Sequence, residues 1–328
     1  MKRRTFIQAA AALGAHATTQ AQAQAQAEAY PTRPIKLIVG FAAGGPTDLV
    51  ARALAIDISQ ALGQQVIVEN RPGATGRIAT ESVARAPGDG YTLLLDSQTL
   101  ITNPLTMSKV LYDPIRDFVP ITRLVALPLI ILAQPDHPAT NVKELVQMAR
   151  AKPGDVKFGS AGIAGSGHLA GALLATTTKT DMIHIPFKGQ QPALTEVMSG
   201  RVDFIFYAAA GAKAQVEGKR VKALAVTSPK RLPQFPDVPT MDEAGFPGFD
   251  TTTPWLGLVA PAGTPVAVVK KLNETVRKSV ARPEMIERFK ALAAIPVDGT
   301  SDEFRAFLEK DAVRWETLIK TTGIKVQE

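Results

Sequence analysis

Residues Ile35 to Leu62 constrain the fold more than any other stretch of this chain. The run I-K-L-I-V-G-F is followed by A-A-G-G-P-T-D and then by L-V-A-R-A-L-A-I-D-I-S-Q-A-L. An apolar run of branched residues reads as a buried strand. Val50, Leu54, Ile58 and Leu62 recur at four-residue spacing and define one face of a helix. With Gly45 as N-cap, Pro46 takes the first helical position, where a missing N–H costs nothing. Asp48 then falls in the first turn, where a negative charge suits the helix dipole. The backbone N–H groups of Ala43 to Thr47 face outward at a strand's carboxyl end, an arrangement able to hold a small anion. Strand, glycine turn and helix are also the ordinary joint of any α/β protein, so the stretch alone leaves both readings open. It lacks G-x-x-x-x-G-K-[ST] and is not a P-loop.

The N-terminus reads M-K-R-R-T-F-I-Q-A-A-A-A-L-G-A. Lys2, Arg3 and Arg4 form a basic region, and Phe6 to Ala15 is apolar but too short to span a bilayer. Ala25-Gln26-Ala27 and Ala27-Glu28-Ala29 both fit the small-x-small cleavage rule. Arg3-Arg4 before Thr5-Phe6-Ile7 resembles a twin-arginine leader, with a general secretory leader as the alternative. Residues 1–29 are therefore expected to be a cleaved export signal. Without Lys2, Arg3, Arg4 and Glu28, the chain's 37 basic and 30 acidic residues become 34 and 29, a net charge of +5. No basic run or aromatic–basic interleaving suggests nucleic acid, and a weak positive field helps attract small anions. There is no cysteine, which excludes a thiol nucleophile, an iron–sulfur cluster and a disulfide framework. No later apolar run is long enough to cross a membrane, so the mature chain is expected to be soluble.

Strand and helix signals alternate along the rest. Gln65–Glu69 and Tyr91–Leu95 read as strands, and Gly76–Arg85 as a helix after the Pro72-Gly73 turn. This β-α-β-α-β run predicts a parallel sheet. Residues 103–120 read as a connecting loop. Ile121–Gln134 is one long apolar run that could cross between lobes. Asn141 and Glu144 resemble a capping box that opens a helix over Val142–Ala151. A second α/β set follows: strands Val156–Phe158, Met182–Ile185, Val202–Phe206 and Val221–Thr227, with helices Gly167–Thr176 and Pro192–Ser199. The last third holds a strand at Trp255–Ala260 and helices at Val266–Val280, Pro283–Ala293 and Ser301–Thr322. Two such sets suggest an α/β protein of two lobes with mainly parallel sheets around a ligand cleft. Residues 30–128 with 229–328 form lobe 1 and 129–228 form lobe 2.

Four segments after predicted strands offer small side chains and free N–H groups suited to carboxylate oxygens. They are Phe41–Asp48, Asp96–Thr99, Gly159–His168 and Phe187–Gln191. Catalytic readings fail on spacing. Ser160 in F-G-S-A-G and Ser166 in A-G-S-G-H do not fit G-x-S-x-G. The G-x-G-x-x-A of Gly165–Ala170 lies too far past its strand for a dinucleotide fingerprint. His168, at a helix start, reads as a cap or supporting group, or as a ligand donor. His184, inside an apolar strand, reads as a packed core residue, and two distant histidines do not make a metal site. Asp203 reads as a structural residue at a strand start. Lys188 could steady an anion or be solvated. Asp48 is either a first-turn helix residue or a group facing the cleft.

Taken in order, these segments carry a resemblance. F-A-A-G-G-P-T-D, E-N-R-P-G-A-x-G, G-S-A-G…H-L-A-G, H-I-P-F-K-G-x-x-P-A-L, G-x-V-D-F-x-F, A-L-A-V-T-S-x-x-R, D-V-P-T-x-x-E-A-G-x-P-G-F and G-L-x-A-P-A-G-T-P all occur. The chain from Tyr30 onward resembles the Bug family, the substrate-binding receptors of tripartite tricarboxylate transporters. The resemblance implies a two-lobed, Venus-flytrap periplasmic binding protein that closes on a di- or tricarboxylate, an aromatic acid or an amino acid. It implies delivery of the ligand to membrane subunits, and the accompanying expectations are no enzymatic activity, no cofactor, no metal and a monomer. The resemblance implies that the Phe41–Asp48 and Ser160–His168 loops approach a ligand from opposite lobes, and with the other strand-end loops the candidate ligand-binding residues are Phe41, Ala43, Gly44, Gly45, Thr47 and Asp48, with Ser97 and Thr99. The others are Ser160, Ala161, Gly162, Ser166, His168, Gly189, Gln190 and Tyr207. One departure matters. Relatives commonly have more than one hydroxyl residue just before the histidine, whereas Ile163-Ala164-Gly165-Ser166-Gly167 supplies a single serine. A less polar ligand, with an aromatic or aliphatic body, is the corresponding expectation. A sensor that presents its ligand to a membrane kinase, or an exported hydrolase or isomerase using Ser166 and His168, is the alternative.

Overall fold

A computed structural model describes residues 30–187 and 189–322. The predicted leader and Lys188 lie outside the described residues. Strand β1 (Ile35–Val39) is apolar and buried, as its branched side chains require, and runs into helix α1 (Pro46–Leu62). Gly45 is the N-cap, Pro46 follows it, and Gly63 closes the helix in the left-handed conformation. Strands β2 (Val66–Asn70) and β3 (Thr92–Ser97) flank β1 in parallel, with Leu37 opposite Val68 and Leu93. Helix α2 (Arg77–Ala84) connects them.

After β3 the chain forms helix α3 (Thr99–Thr106), although Pro104 lies inside it and the sequence reads as loop from residue 103. Pro104 has no N–H to offer the carbonyl of Leu100 four residues back. That carbonyl accepts instead from the Tyr112 hydroxyl at 3.1 Å. The apolar run over 121–134 is not one strand. It divides into β4 (Phe118–Ala126) and β5 (Leu129–Ala133), which belong to different sheets.

Helix α4 (Val142–Ala151) starts as predicted, with Asn141 accepting the N–H of Glu144 at 3.0 Å. Strand β6 (Lys157–Ser160), helix α5 (Ser166–Thr178), strand β7 (Ile183–Pro186), helix α6 (Gln190–Met198) and strand β8 (Phe204–Ala208) follow. Helix α7 (Ala209–Glu217), which the sequence reading missed, leads to β9 (Lys222–Val226). The C-terminal part contributes β10 (Trp255–Pro261), α8 (Val266–Val280), α9 (Pro283–Ala291), the short β11 (Ile295–Pro296) and α10 (Ser301–Thr322).

The first sheet has the order β11-β4-β10-β3-β1-β2 and the second β7-β6-β8-β5-β9. Each has the expected parallel core, β2-β1-β3 and β7-β6-β8. Each is made mixed by a reversed strand laid against that core, β10 against β3 and β5 against β8, and in the first sheet the short β11 is reversed as well, against β4. Strands β10 and β5 stand at corresponding places, beside the third strand of each parallel core.

The chain passes between the sheets at Leu127-Pro128 and at Thr253-Pro254. These crossings are tied together. Leu127 N–H donates to the Pro254 carbonyl at 2.8 Å, Leu129 N–H to Thr227 Oγ1 at 3.0 Å, and Thr227 Oγ1 lies 3.2 Å from Thr253 Oγ1. The second crossing differs from the expected boundary at residue 229. Leu232 and Phe235 pack with Ile130 and Ile205, and Met241 and Phe249 with Phe204 and Phe206. Burial of these four apolar side chains keeps residues 229–252 with the second sheet. Helix α10 and strand β10 face a shared apolar cluster that also holds Leu169 of α5.

Candidate functional site

The loops at the carboxyl ends of the parallel strands form two rims. In the first, β1 ends at Gly40, where a Cβ would lie 2.7 Å from the Gly76 Cα, so only glycine lets the two loops meet. A Cβ on Gly76 would lie 3.6 Å from the Phe41 ring and from Thr99 Oγ1, at the start of α3, and 3.8 Å from Asp96 Oδ1, at the end of β3. Ala42, Ala43 and Gly44 are exposed, and Thr47 is buried.

Asp48 lies beneath this loop and is 1% exposed. Its carboxylate accepts from Gly44 N–H at 2.8 Å, Arg52 Nε at 2.9 Å and Asn70 Nδ2 at 2.9 Å, and Asn70 Nδ2 also donates to the Phe41 carbonyl. Burial acts to raise the Asp48 pKa. The hydrogen bonds from Arg52, Gly44 and Asn70 outweigh it and hold the carboxyl below its usual range. Asp48 is thus occupied in shaping the loop. The N–H groups of Thr47 and Asp48, at the open end of α1, meet no acceptor among the described residues.

Ser97 and Thr99 are likewise engaged with their own loop. Asp96 accepts from Thr80 Oγ1 at 2.7 Å, Ser97 N–H at 2.8 Å and Thr99 Oγ1 at 2.9 Å, and Ser97 Oγ lies 3.0 Å from Thr99 Oγ1. No cation among the described residues pairs with this carboxylate. Burial pushes its pKa up to about 6 against those hydrogen bonds.

The second rim repeats the first joint with different side chains. Gly165 is the N-cap of α5, with φ −71° and ψ 163°, beside −78° and 168° at Gly45. The residue before each cap is left-handed, Ala164 at φ 59° and Gly44 at φ 81°. The third helical residue reaches back to that residue's N–H in both. His168 Nδ1 accepts from Ala164 N–H at 2.9 Å, where Asp48 accepts from Gly44. An accepting Nδ1 puts the His168 proton on Nε2. Ser166, Gly167 and His168 N–H meet no described acceptor. Gly167 sits where a Cβ would be 2.8 Å from the Phe206 carbonyl, so the helix end rests on β8.

Behind His168 lies His184, which the sequence reading placed in the core. Strand pairing sets His184 opposite Phe158, and its ring stacks on His168 with centroids 3.6 Å apart and 7° between planes. Ser160 Oγ donates to the Gly162 carbonyl at 2.7 Å and lies 2.7 Å from His184 Nε2. With the hydroxyl proton committed to Gly162, the His184 Nε2–H donates to Ser160. Burial lowers His168 to a pKa of about 4. Burial and the neighbouring His168 lower His184 to about 3.

Ala161 and Ile163 are exposed on this loop, and Gly162 approaches the Phe187 carbonyl. Gly189 caps α6, Gln190 Oε1 accepts from Ala208 N–H at 3.3 Å, and the Tyr207 hydroxyl donates to Gln191 Oε1 at 2.9 Å. Asp203, as expected, is structural: it accepts from Lys157 N–H at 2.7 Å and faces the buried His137. Asn70, Asp96 and His184 are the organising residues that sequence reasoning passed over. Asn70 and Asp96 stood inside segments already singled out, but only strand pairing could reveal His184.

The rims share a buried apolar cluster beneath them. Leu100, next to Thr99, and Leu169, next to His168, belong to one buried apolar cluster with Ile38 and Leu94. Among the described residues there is no cluster of His, Cys, Asp and Glu able to hold a metal. No helix among the described residues is long and apolar enough to cross a membrane.

Two mixed α/β sheets, two tied crossings and an amide-lined rim on each lobe define a two-lobed solute-binding protein of the periplasmic type. Residues 50–324 match the tripartite tricarboxylate transporter family receptor, and the chain belongs to that family. A UPF0065 protein from the tcbD–tcbE intergenic region of Pseudomonas sp. strain P51 is 38% identical over 303 residues, 92% of this chain and 90% of the relative. The periplasmic binding protein BugD, 38% identical, superposes with a TM-score of 0.81 over 91% of this chain and 100% of BugD. Rpa4515 of R. palustris, solved with adipate, is 33% identical with a TM-score of 0.85 over 91% of this chain and all of that one.

Proposed function

We propose that this chain is a periplasmic receptor that closes its two rims on a small carboxylate and passes it, unchanged, to the membrane subunits of a tripartite tricarboxylate-type transporter. The observation that carries this reading is the pair of matched helix starts. Each leaves N–H groups without a protein acceptor while the neighbouring side chains are already bonded within the loops. Preformed donors of this kind bind carboxylate oxygens with little reorganisation. The adipate held by a relative of the same fold is consistent with this chemistry.

The apolar side chains of the rims favour an acid with a hydrocarbon body. Ile163 is 38% exposed on the second loop, and Phe41 and Phe187 are half-buried beside the glycines of each rim. Closure is a hinge movement at Leu127-Pro128 and Thr253-Pro254, where few hydrogen bonds cross. Residues 1–29 serve as the export leader.

Hydrolysis has little support. Ser160 and His184 are a hydroxyl–imidazole pair, but the serine proton goes to a carbonyl. A ring with a pKa near 3 is a poor base at neutral pH.

Thermal unfolding with adipate, aromatic monocarboxylates, malate and citrate tests the reading. A ligand at 100 times its Kd adds about 2.7 kcal/mol of stability. Adipate or an aromatic acid is expected to shift the transition most. Tight binding of citrate alone would remove the hydrocarbon-body part of the proposal. No shift with any carboxylate, or recovery of a chemically altered ligand, would remove the whole.

A further inference from the structure

Gly44 and Ala164 occupy the same place in two unrelated stretches of sequence. Each is left-handed, each precedes a glycine N-cap, and each gives its N–H to the side chain of the third helical residue. The first rim uses a carboxylate, itself fixed by Arg52 and Asn70. The second uses an imidazole, which forms no ion pair among the described residues. What holds that imidazole is an aromatic column: Phe158 lies 5.0 Å from His184 at 29°, and His184 lies 3.6 Å from His168 at 7°. His184 is in turn tied by Nε2 to Ser160, whose hydroxyl closes the same loop at Gly162.

We propose that His168 and His184 act together as the positioning unit of the second rim. In this unit His168, as the Nε2–H tautomer, holds the Ala164 N–H through Nδ1, and His184, anchored to Ser160, holds the His168 ring. Neither ring is a catalytic residue. Their effect on ligand is through the direction of the Ser166, Gly167 and His168 amides. Two consequences follow from the geometry. The brace requires a lone pair on His168 Nδ1, so any side chain with an acceptor at that point can replace it and a ring without one cannot. His184 supplies orientation only, so its loss loosens the brace without abolishing it.

The inference rests on reading the Ser160–His168 loop as a ligand rim, but its test uses no ligand and so separates its failure from failure of that reading. The mature chain, labelled with 15N and free of ligand, is examined at neutral pH. The imidazole nitrogens of His168 are expected to show Nδ1 bare and Nε2 protonated, and His184 to show a protonated Nε2. Amide exchange at Ala164 is then compared among variants. It is expected to rise about tenfold in His168→Phe, which keeps the stack but lacks the acceptor. It is expected to stay near the wild-type rate in His168→Asn, whose carbonyl oxygen takes the place of Nδ1. In His184→Phe it is expected to rise about threefold, for loss of the anchor to Ser160 while the stack remains. Gly44 amide exchange, held by Asp48, stays unchanged in all three. A protonated Nδ1 on His168, or equal Ala164 exchange in the wild type and His168→Phe, overturns the proposal. If His168→Phe fails to fold, the imidazole nitrogen spectrum of the wild-type chain decides the matter alone.

Discussion

The two rims share a backbone and differ in how it is held. At Gly44 the brace is a charged carboxylate with a guanidinium and an amide behind it. At Ala164 it is a neutral ring with another neutral ring behind it. The first arrangement keeps its brace until the carboxylate is protonated, well into the acid range. The second must stay uncharged, because a proton on His168 Nδ1 removes the acceptor and places a charge 3.6 Å from the neighbouring ring. The same local geometry is therefore held on one lobe by a group that must stay charged and on the other by one that must stay neutral. Backbone conformation and protonation behaviour are separable properties of one motif.

The sharpest way to break this comparison is to remove the charged brace. Asp48→Ala is expected to cost about 3 kcal/mol in denaturant unfolding, because Gly44 N–H, Asn70 and Arg52 lose a shared acceptor. That figure is already reduced for the half-exposed guanidinium of Arg52. Asp48→Asn keeps an acceptor and is expected to cost about half as much. Equal costs for the two variants would show that the charge, not the hydrogen bond to Gly44, holds the loop.

Acid titration sharpens the contrast. The unfolded chain binds a proton at each histidine near pH 6.5, whereas the folded values are about 4 and 3. Depressed folded values mean that the unfolded state holds more protons through this interval, so stability falls as pH drops from 6.5 towards 4. Two protons would give a slope of at most about 2.7 kcal/mol per pH unit. Asp96 acts in the opposite direction. Its folded value near 6, raised from 3.8 by burial, lets the folded chain take up a proton first. Between pH 6 and 4 the opposing terms leave about 1.4 kcal/mol per unit, to be measured by urea unfolding at several pH values.

Asp96→Asn separates the two effects. It is expected to add about 2 kcal/mol at pH 7, where a buried carboxylate without a cation is ionised, and to steepen the loss below pH 6. Lower stability at pH 7 would mean that the hydrogen bonds to Thr80, Ser97 and Thr99 depend on the charge.

The smallest effects exchange the left-handed residues. Gly44→Ala is expected to lose about 1 kcal/mol from strain alone, since a Cβ there meets nothing within 4 Å. Ala164→Gly is expected to gain up to about 1 kcal/mol by relieving φ 59°. The signs, read from thermal unfolding, should be opposite. A loss in both would show that Ala164 contributes packing that outweighs its strain.

Much of this was legible in the sequence because it depends on neighbours along the chain. The strand before Gly40, the cap at Gly45, Pro46 at the first helical position, the helix over Val142–Ala151 and that over Ser301–Thr322 follow from periodicity and capping chemistry. So do the two α/β sets and the glycine loops after their strands. Where the reading missed, a distant partner had intervened. Tyr112 satisfies the carbonyl that Pro104 frees, so the helix continues to Thr106 where the sequence reads as a loop from residue 103. Contacts of Leu232, Phe235 and Phe249 keep residues 229–252 with the second sheet.

The sequence by itself determined the order of strands and helices, the capped helix starts and the small-residue loops that expose N–H groups, because hydrophobic periodicity and backbone sterics act over a few residues. Only the tertiary structure decided which side chains those loops consume. Strand pairing set His184 beside Phe158 and under His168, and it brought Asn70 to Asp48 across 22 residues and Thr80 to Asp96 across 16. Such partners are chosen by register and burial, which are properties of the assembled sheet. For that reason the charge state of each rim could be read only once the chain was folded.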